Sequence, residues 1–247
     1  MILPLLLLLQ SSNVPLPDAG QKRFEACTAL TKSDPEKAVA EADMWRTGGG
    51  GVPARICLGL AYVELERWGP AAATFEQAAK DAEIQRDGRA GNLWVQAGNA
   101  ALAGDDPAMA RGYFDRALAL PVLTDEMRGE AHLDRARADV AVGNLADARV
   151  DIDAALKLVP RDPMVWLLSA TLARRQSDLP RATKDIGEAA MLAPNEAPIA
   201  YEEGNIAALA GATERARSAW ARAAAIAPDS DAGQAAALAL KGETAPQ

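Results

Sequence analysis

Aromatic residues, cysteine and histidine are all scarce in this chain of 247 residues. It has five Trp, three Tyr and three Phe, 4% in all, with two Cys and one His. Strands favour β-branched and aromatic side chains, so this shortage argues against a β-sandwich or barrel. Alanine, the strongest helix former, is abundant instead. Its 56 residues are nearly half of the hydrophobic residues, which make up 49% of the chain. The composition therefore predicts an all-α protein.

Positive charge is also in short supply. The chain has 26 Lys and Arg against 34 Asp and Glu, a formal net charge of −8. A surface for nucleic acid or an anionic membrane needs a positive excess, so we expect no nucleic-acid partner. Charged residues make up 24%, with 19 Gly and 15 Pro, which excludes collagen and bulk disorder.

The N-terminus carries an apolar block from Ile2 to Leu9. It is shorter than the roughly 20 residues that span a bilayer, but its length is typical of the apolar part of a secretory signal. No basic residue precedes Lys22, and an upstream start codon would supply the basic residues that a signal needs before its apolar block. The first cysteine, Cys27, lies too far after that block to carry a lipid anchor. We expect residues 1–20 to be a signal segment and linker, and the mature protein to be periplasmic or secreted without an integral membrane span. A cytoplasmic location is disfavoured because exposed consecutive leucines promote aggregation.

A period of 34 residues organises the rest of the chain. Pro160, Pro194 and Pro228 follow one another at this spacing. Two columns of alanine share the register: Ala148, Ala182 and Ala216, then Ala155, Ala189 and Ala223. Earlier, the same unit recurs as Ala71-x-x-x-Phe75-x-x-Ala78 and as Ala110-x-x-x-Phe114-x-x-Ala117. Such linked columns predict a repeat architecture.

The helix that precedes each of these motifs has a signature of its own. It is clearest in Leu58-Gly59-x-x-Tyr62 and Trp94-x-x-Ala97-Gly98. Together the motifs resemble the tetratricopeptide repeat, whose pattern is Trp-x-x-Leu-Gly-x-x-Tyr, then Ala-x-x-x-Phe-x-x-Ala, then Pro. The resemblance implies a right-handed superhelical solenoid of helix hairpins: about six repeats over 21–228, a capping helix over 229–240 and a disordered tail over 241–247.

Each hairpin should pack a small residue of its first helix against its second helix. The small column is Gly59, Gly98, Ala136, Ala170 and Gly204. The large column is Phe75, Phe114, Ile152, Ile186 and Trp220, which we expect to fill the space between neighbouring repeats. Asp or Thr before several helices, often followed by Pro, predicts N-caps: Asp34, Asp106, Thr124, Asp162 and Asp178.

Two readings are open for Cys27 and Cys57, which lie about one repeat apart. They form no Cys-x-x-Cys motif and have no companion ligands for zinc, so no metal site is expected. In an oxidising compartment they would form a disulfide that ties the first two repeats together. Otherwise they are two buried free thiols acting as small apolar residues.

The residues of catalysis are missing from the sequence. His132 lies inside a predicted helix without a nucleophile in its motif, so we interpret it as a packed imidazole. The run from Gly48 to Gly51 has no Lys-Ser/Thr after it, so it is interpreted as a flexible joint between repeats and not as a phosphate loop. We expect neither an enzyme nor a cofactor.

In the tetratricopeptide family the first helix of each repeat lines a concave groove that binds a partner. Carried over by position, the exposed groove would comprise Ile56, Leu60, Val63, Val95, Asn99, Leu102, Leu133, Arg137, Val140, Leu167, Thr171, Arg174, Tyr201, Asn205 and Leu209. Asn99 and Asn205 would hold the main chain of a peptide, and Arg137 and Arg174 a carboxylate. The alternative is that the asparagines bond locally and the arginines pair with Asp134, Asp139 or Glu202.

Two functions follow from this reading. The first is an exported, non-catalytic scaffold that binds a peptide or helix of a partner protein, in envelope assembly or as an adaptor. The second is a self-associating structural array, which predicts dimers by light scattering at micromolar concentration. A regulatory subunit of an enzyme acting in trans is a third, more distant alternative.

Overall fold

A computed structural model describes residues 18–242, all of whose regular structure is helical. The sequence predictions for the apolar N-terminal block and for the last five residues lie outside this range. The described chain divides into two compact units that meet in sequence at Leu123 and Thr124. Each unit is described by itself below.

The first unit contains six helices. They are α1 (Asp18–Ser33), α2 (Pro35–Thr47), α3 (Gly51–Glu64), α4 (Trp68–Ile84), α5 (Ala90–Ala103) and α6 (Pro107–Ala119). Consecutive helices pack as the hairpins α1–α2, α3–α4 and α5–α6, and α2 and α4 also pack against the first helix of the next hairpin. This is the stacking that the repeat pattern predicts.

The second unit contains seven helices. They are α7 (Asp125–Ala141), α8 (Leu145–Leu158), α9 (Pro163–Arg175), α10 (Leu179–Leu192), α11 (Ala197–Leu209), α12 (Thr213–Ile226) and α13 (Asp231–Lys241). The first six form hairpins, and α13 packs against α11 and α12. Ser230 caps α13, and Ala236 of this helix is buried with Ala200 and Ala223. Helix α13 thus covers the last hairpin, in the place where the capping helix is predicted.

Helix starts coincide with the predicted capping residues. The side chain of Asp106 accepts a hydrogen bond from the main-chain N–H of Met109 at 2.9 Å, and Asp34 does the same for Lys37 at 3.1 Å. Each cap satisfies an amide that has no partner inside the helix. Thr124, Asp162 and Asp178 cap α7, α9 and α10 in the same way.

The four glycines between α2 and α3 form a specific turn instead of the flexible joint we expected. The N–H of Gly50 donates to the carbonyl of Trp45 at 2.9 Å, and Gly49 has φ +90°. A Cβ on Gly50 would lie 2.5 Å from the Trp45 ring. The turn therefore needs glycine both for its backbone conformation and for its contact with an aromatic ring.

In three repeats the large aromatic residue contacts the glycine of its own hairpin. A Cβ added to Gly59 would lie 2.7 Å from Phe75, and one added to Gly98 would lie 2.5 Å from Phe114. A Cβ added to Gly204 would come closer still to the ring of Trp220. Glycine makes room for the ring directly opposite it within the hairpin. Ile152 and Ile186 of the same column also pack with the first helix of the next repeat, as we expected.

Alanines form the remaining close contacts. Ala71, Ala78, Ala110, Ala117, Ala148, Ala155, Ala182, Ala189, Ala216 and Ala223 are all buried. In the second unit they are joined by branched side chains: Ile152 packs in a cluster with Leu133 and Val165, and Ile186 in a cluster with Leu167 and Ile199. Small side chains let the helices approach closely, so alanine in this protein is core material.

Candidate partner-binding surface

We call the side of the repeats that carries the predicted groove residues the first-helix face. It is formed by α3 and α5 in the first unit and by α7, α9 and α11 in the second. Most of the predicted side chains on this face keep some exposure: Asn99, Arg137 and Leu209 are exposed, and Ile56, Leu60, Val63, Leu102, Val140, Thr171, Arg174, Tyr201 and Asn205 are half-buried.

Three predicted groove residues are instead buried: Val95, Leu133 and Leu167. Leu167 of α9 packs with Ile199 and Ile206 of α11, and Leu133 of α7 packs with Val165 of α9. In the second unit, the first helix of one repeat thus shares an apolar cluster with the first helix of the next. These residues therefore belong to the core, and the prediction that they line an open groove is wrong.

Asn205 is part of a chain of hydrogen bonds in the second unit. The indole N–H of Trp220 donates to its Oδ1 at 3.1 Å, and its Nδ2 donates to Oε2 of Glu202 at 3.1 Å. The Nε of Arg174 donates to Oε1 of the same glutamate at 2.6 Å. Glu202 is only 4% exposed, so this chain satisfies a buried carboxylate. The side chains of Arg174 and Asn205 are thus already hydrogen-bonded to other residues of the same unit.

Arg137 also has a partner of its own. Its Nη1 lies 2.5 Å from Oδ1 of Asp134, one helical turn earlier in α7. The Arg137 side chain is 44% exposed, so the pair is solvated and contributes little to stability. The alternative reading of the sequence, in which both arginines pair with nearby carboxylates, describes the second unit better than a carboxylate clamp does.

Asn99 of α5 differs from these residues. It is exposed, and within the described part of the chain its side chain has no hydrogen-bond partner. The same holds for Asn92 and Gln96, which are half-buried on the same helix. Asn92 and Gln96 are not among the predicted groove residues, although their i, i+4, i+7 spacing with Asn99 is a sequence signal that identifies them.

A second polar network joins α4, α5 and α6 in the first unit. The indole N–H of Trp94 donates to Glu83 at 2.5 Å, and the hydroxyl of Tyr113 donates to Glu76 at 2.9 Å. The two rings lie 5.7 Å apart. Burial and the bond to Glu76 raise the pKa of Tyr113 to about 12. The hydrogen bond from Lys80 lowers the pKa of Glu76, so this carboxylate stays charged and accepts a hydrogen bond from the phenol O–H of Tyr113.

His132 pairs with Asp151 across the α7–α8 hairpin. Its Nδ1 lies 2.8 Å from Oδ1 of Asp151, and Arg135 donates to both oxygens of the same carboxylate. Burial would raise the pKa of Asp151, but the hydrogen bonds from Arg135 and His132 hold it below its usual range. The imidazole thus helps to satisfy a buried acid, as a packing role predicts. Between residues 18 and 242, no group of three or more His, Cys, Asp or Glu residues is arranged to hold a metal ion.

Cys27 of α1 and Cys57 of α3 are joined by a disulfide bond, with their Cα atoms 6.1 Å apart. Both residues are buried, with Ala42, Trp45 and Ala54 in the same cluster. The bond links α1 and α3, the first helices of two consecutive hairpins. None of the helices described for this chain is long and apolar enough to cross a membrane.

No family model matches this sequence, and no curated protein matches it. Solved structures match its fold. PilW, described as a widely conserved type IV pilus biogenesis factor, superposes with a TM-score of 0.71 at 20% identity, covering 88% of this chain and 98% of PilW. PilF of Pseudomonas aeruginosa gives 0.67 at 15% identity, covering 88% and 97%. YrrB, a tetratricopeptide-repeat protein with an unusual peptide-binding site, gives 0.57 at 17% identity, covering 78% and 94%.

These matches confirm the fold. The chain is an all-α repeat protein with the tetratricopeptide-repeat architecture, as the spacing of its alanines, glycines and prolines predicts.

Proposed function

We propose that this chain is a non-catalytic protein–protein interaction scaffold that binds a segment of a partner protein on its first-helix face. The observation that carries the proposal is the exposure of side chains on α3 and α5. Leu60, Val63 and Leu102 are only half-buried and Asn99 is exposed, so these helices present apolar and amide groups that the packing of the repeats does not use. Such a mixed surface suits a peptide or a helix of another protein.

A role in the cell envelope is the second part of the proposal. PilW is described as a pilus biogenesis factor, and the fold likeness to it supports an assembly role for this chain. The apolar block from Ile2 to Leu9 supports export. The disulfide between Cys27 and Cys57 fits an oxidising compartment such as the periplasm.

The test is crosslinking mass spectrometry in the host, with the full chain and matched variants. Asn99→Asp places a charge on the exposed amide of α5 without touching an internal bond, so it should abolish the partner crosslinks while the helical circular dichroism stays unchanged. Asn195→Asp makes the same change at an exposed residue of the α10–α11 loop and is the control. Recovery of the same partner with both variants would contradict binding at α5, and recovery of no partner at all would contradict a scaffold.

Arg174→Glu is unsuitable as a binding test, although Arg174 is one of the predicted groove residues. It would place a second carboxylate beside Glu202, which is buried and depends on Arg174 for charge compensation. Loss of one partner of a buried ion pair costs several kcal/mol, typically about 3–5 kcal/mol. A loss of binding in this variant would therefore report unfolding.

A further inference from the structure

A cleft of about 280 Å³ lies in the first unit, away from the first-helix face. It is bounded by the second helices α2 and α4, and α3 forms its floor. Both second helices pack against α3 rather than against each other, which leaves the space between them. The floor consists of Arg55, Leu58 and Tyr62, on a different side of α3 from Leu60 and Val63. We call this space the arginine cleft.

The repeat register explains why the arginine cleft is open. Arg55 lies four residues before the glycine of its hairpin, and Thr74 lies directly before the large ring. One repeat later the same two positions hold Trp94 and Tyr113. Those rings lie 5.7 Å apart, and each donates a hydrogen bond to a carboxylate of α4. Two aromatic side chains thus occupy space between α4 and α6 that an arginine and a threonine leave open between α2 and α4.

The polar side chains at the arginine cleft have donors to spare. Nη1 of Arg55 lies 2.8 Å from Oδ2 of Asp81, and the rest of this guanidinium has no partner among residues 18–242. Nε and Nη2 of Arg46 both donate to Oδ1 of Asp43, at 2.9 and 2.6 Å. The hydroxyl of Tyr62 has no hydrogen-bond partner in the described part of the chain.

The acceptors beside these donors are already engaged. Oδ1 of Asp81 accepts from Nε2 of Gln77 at 2.9 Å, so both oxygens of this carboxylate are bonded. The hydroxyl of Thr74 donates to the carbonyl of Pro70 at 2.7 Å. The Asp43 side chain is 52% exposed, so water can solvate its second oxygen. A ligand that brings acceptors would therefore complete the hydrogen bonding of the cleft.

We propose that the arginine cleft binds a small monocarboxylate on a short apolar chain. The guanidinium fork offers parallel N–H groups to the two oxygens of a planar carboxylate, and the phenol hydroxyl offers one more donor. Leu58, Ala73 and the Tyr62 ring line the same cleft and can pack against the apolar chain. The two arginines face two aspartates, so a ligand with a single negative charge adds the least repulsion. The size of the cleft is near the lower end of the range for small-molecule sites.

The experiment is a titration of the full chain with 4-methylpentanoate, followed by two-dimensional nuclear magnetic resonance. We expect the signals that shift to belong to α2, α3 and α4. The uncharged analogue 4-methylpentanamide should bind about tenfold more weakly, because hydrogen bonds to a charged acceptor are the stronger ones. Inorganic phosphate, added as a competitor at the same concentration, should leave the carboxylate bound.

Two variants locate the site. Arg55→Trp introduces the residue that the next repeat carries, so it should close the cleft and weaken binding about tenfold or more while the helical circular dichroism stays unchanged. Tyr62→Phe removes a hydroxyl that has no internal bond, so the fold should be kept and binding should weaken about threefold. Tyr201→Phe makes the same change in the second unit and should bind as the parent does.

Three results would overturn the proposal. The first is no binding of 4-methylpentanoate, or equal binding of the acid and its amide. The second is unchanged binding in both Arg55→Trp and Tyr62→Phe. The third is a short uncharged peptide with a C-terminal leucine that binds about tenfold more tightly than 4-methylpentanoate, since the ligand would then be the end of a protein chain. None of these results bears on the scaffold function, which the crosslinking at α5 tests separately.

Discussion

Two repeats carry a glycine followed by an asparagine at the same point of the first helix, and they use the asparagine differently. In α11, Asn205 accepts a hydrogen bond from Trp220 and donates to Glu202. In α5, Asn99 is exposed and has no partner among residues 18–242. The glycine before each asparagine has the same kind of neighbour in both repeats, because it lies beneath the large ring of its own hairpin.

The ring explains the difference. Trp220 carries an N–H that must find an acceptor when it leaves water, and Oδ1 of Asn205 provides one. Phe114, in the other repeat, has no polar atom, so Asn99 is left to the solvent or to a partner. In these two repeats, the asparagine is therefore available for binding only where the aromatic side chain beside it has no N–H that needs an acceptor.

The largest expected effect comes from removing the rings themselves. Phe114→Ala and Trp220→Ala should each lower the free energy of unfolding by about 3–5 kcal/mol, since both leave a cavity above a glycine. Urea denaturation followed by circular dichroism measures the loss. Phe114 is fully buried and Trp220 is half-buried, so the loss should be the greater for Phe114. A loss below 1 kcal/mol in both variants would contradict the packing of the rings on the glycines.

The glycines beneath the rings provide the next test. Gly98→Ala and Gly204→Ala place a Cβ too close to the rings of Phe114 and Trp220, so each should cost about 1–3 kcal/mol through overpacking. Gly112 of α6 is the control, because a Cβ there meets nothing within 4 Å. Gly112→Ala should raise stability by roughly 0.5–1 kcal/mol, as expected for an exposed helix. A shift of the same sign in all three melting temperatures would show that the rings do not set the requirement for glycine.

Alkaline pH should lower the stability of the repeat that contains Phe114 more than that of the repeat that contains Trp220. The residue before Phe114 is Tyr113, and the corresponding residue before Trp220 is Ala219. The pKa of Tyr113 is about 12 in the folded state, against about 10 for an unperturbed tyrosine, so its contribution to stability is complete below pH 10 and is lost as the pH rises from 10 to 12. The loss should reach about 2 kcal/mol at pH 12.

Stability measured against pH in the parent and in Tyr113→Phe checks this expectation. The variant should lack the Tyr113 part of the decline, and Tyr62→Phe, in another repeat, should retain it. An identical alkaline decline in the parent and in Tyr113→Phe would show that the bond to Glu76 is not the source of the dependence.

The smallest expected losses of stability come from replacing the two asparagines themselves. Asn205→Ala removes the acceptor of Trp220 and one donor of Glu202, and should cost about 1–2 kcal/mol. Asn99→Ala removes no internal bond, so its effect on thermal unfolding should stay within about 0.5 kcal/mol. In the background Trp220→Phe, which has no N–H, the cost of Asn205→Ala should fall. Equal costs in the two repeats would contradict the comparison.

Most of the fold could be predicted from the sequence, because it depends on local signals repeated along the chain. Asp34 and Asp106 mark helix starts through a hydrogen bond that spans three residues, and the glycine columns mark the close contacts. The alanine register has a further test: Leu at Ala155, Ala189 or Ala223 should cost about 1–3 kcal/mol, because all three sites are fully buried.

The candidate site was harder to predict, because a first helix has neighbours on more than one side. Helical periodicity cannot tell an open groove from the contact with the next first helix, so Val95, Leu133 and Leu167 were wrongly placed in the groove. The role of Asn205 depends on Trp220, which lies 15 residues later in another helix. Such pairings are set by tertiary packing, and the repeat motif does not encode them.

The bond between Cys27 and Cys57 changes how the array comes apart. In a linear array the end repeat has one neighbour and would fray first, and α1 buries few side chains of its own. The bond closes a loop across 30 residues, which disfavours the opened chain by about 3–4 kcal/mol in the chain-entropy model. Amides of α1 and α2 should therefore exchange with deuterium as slowly as those of inner helices, and a reductant should accelerate their exchange alone. A partner would then meet an N-terminal repeat that is already in place, with no ordering cost at the moment of encounter.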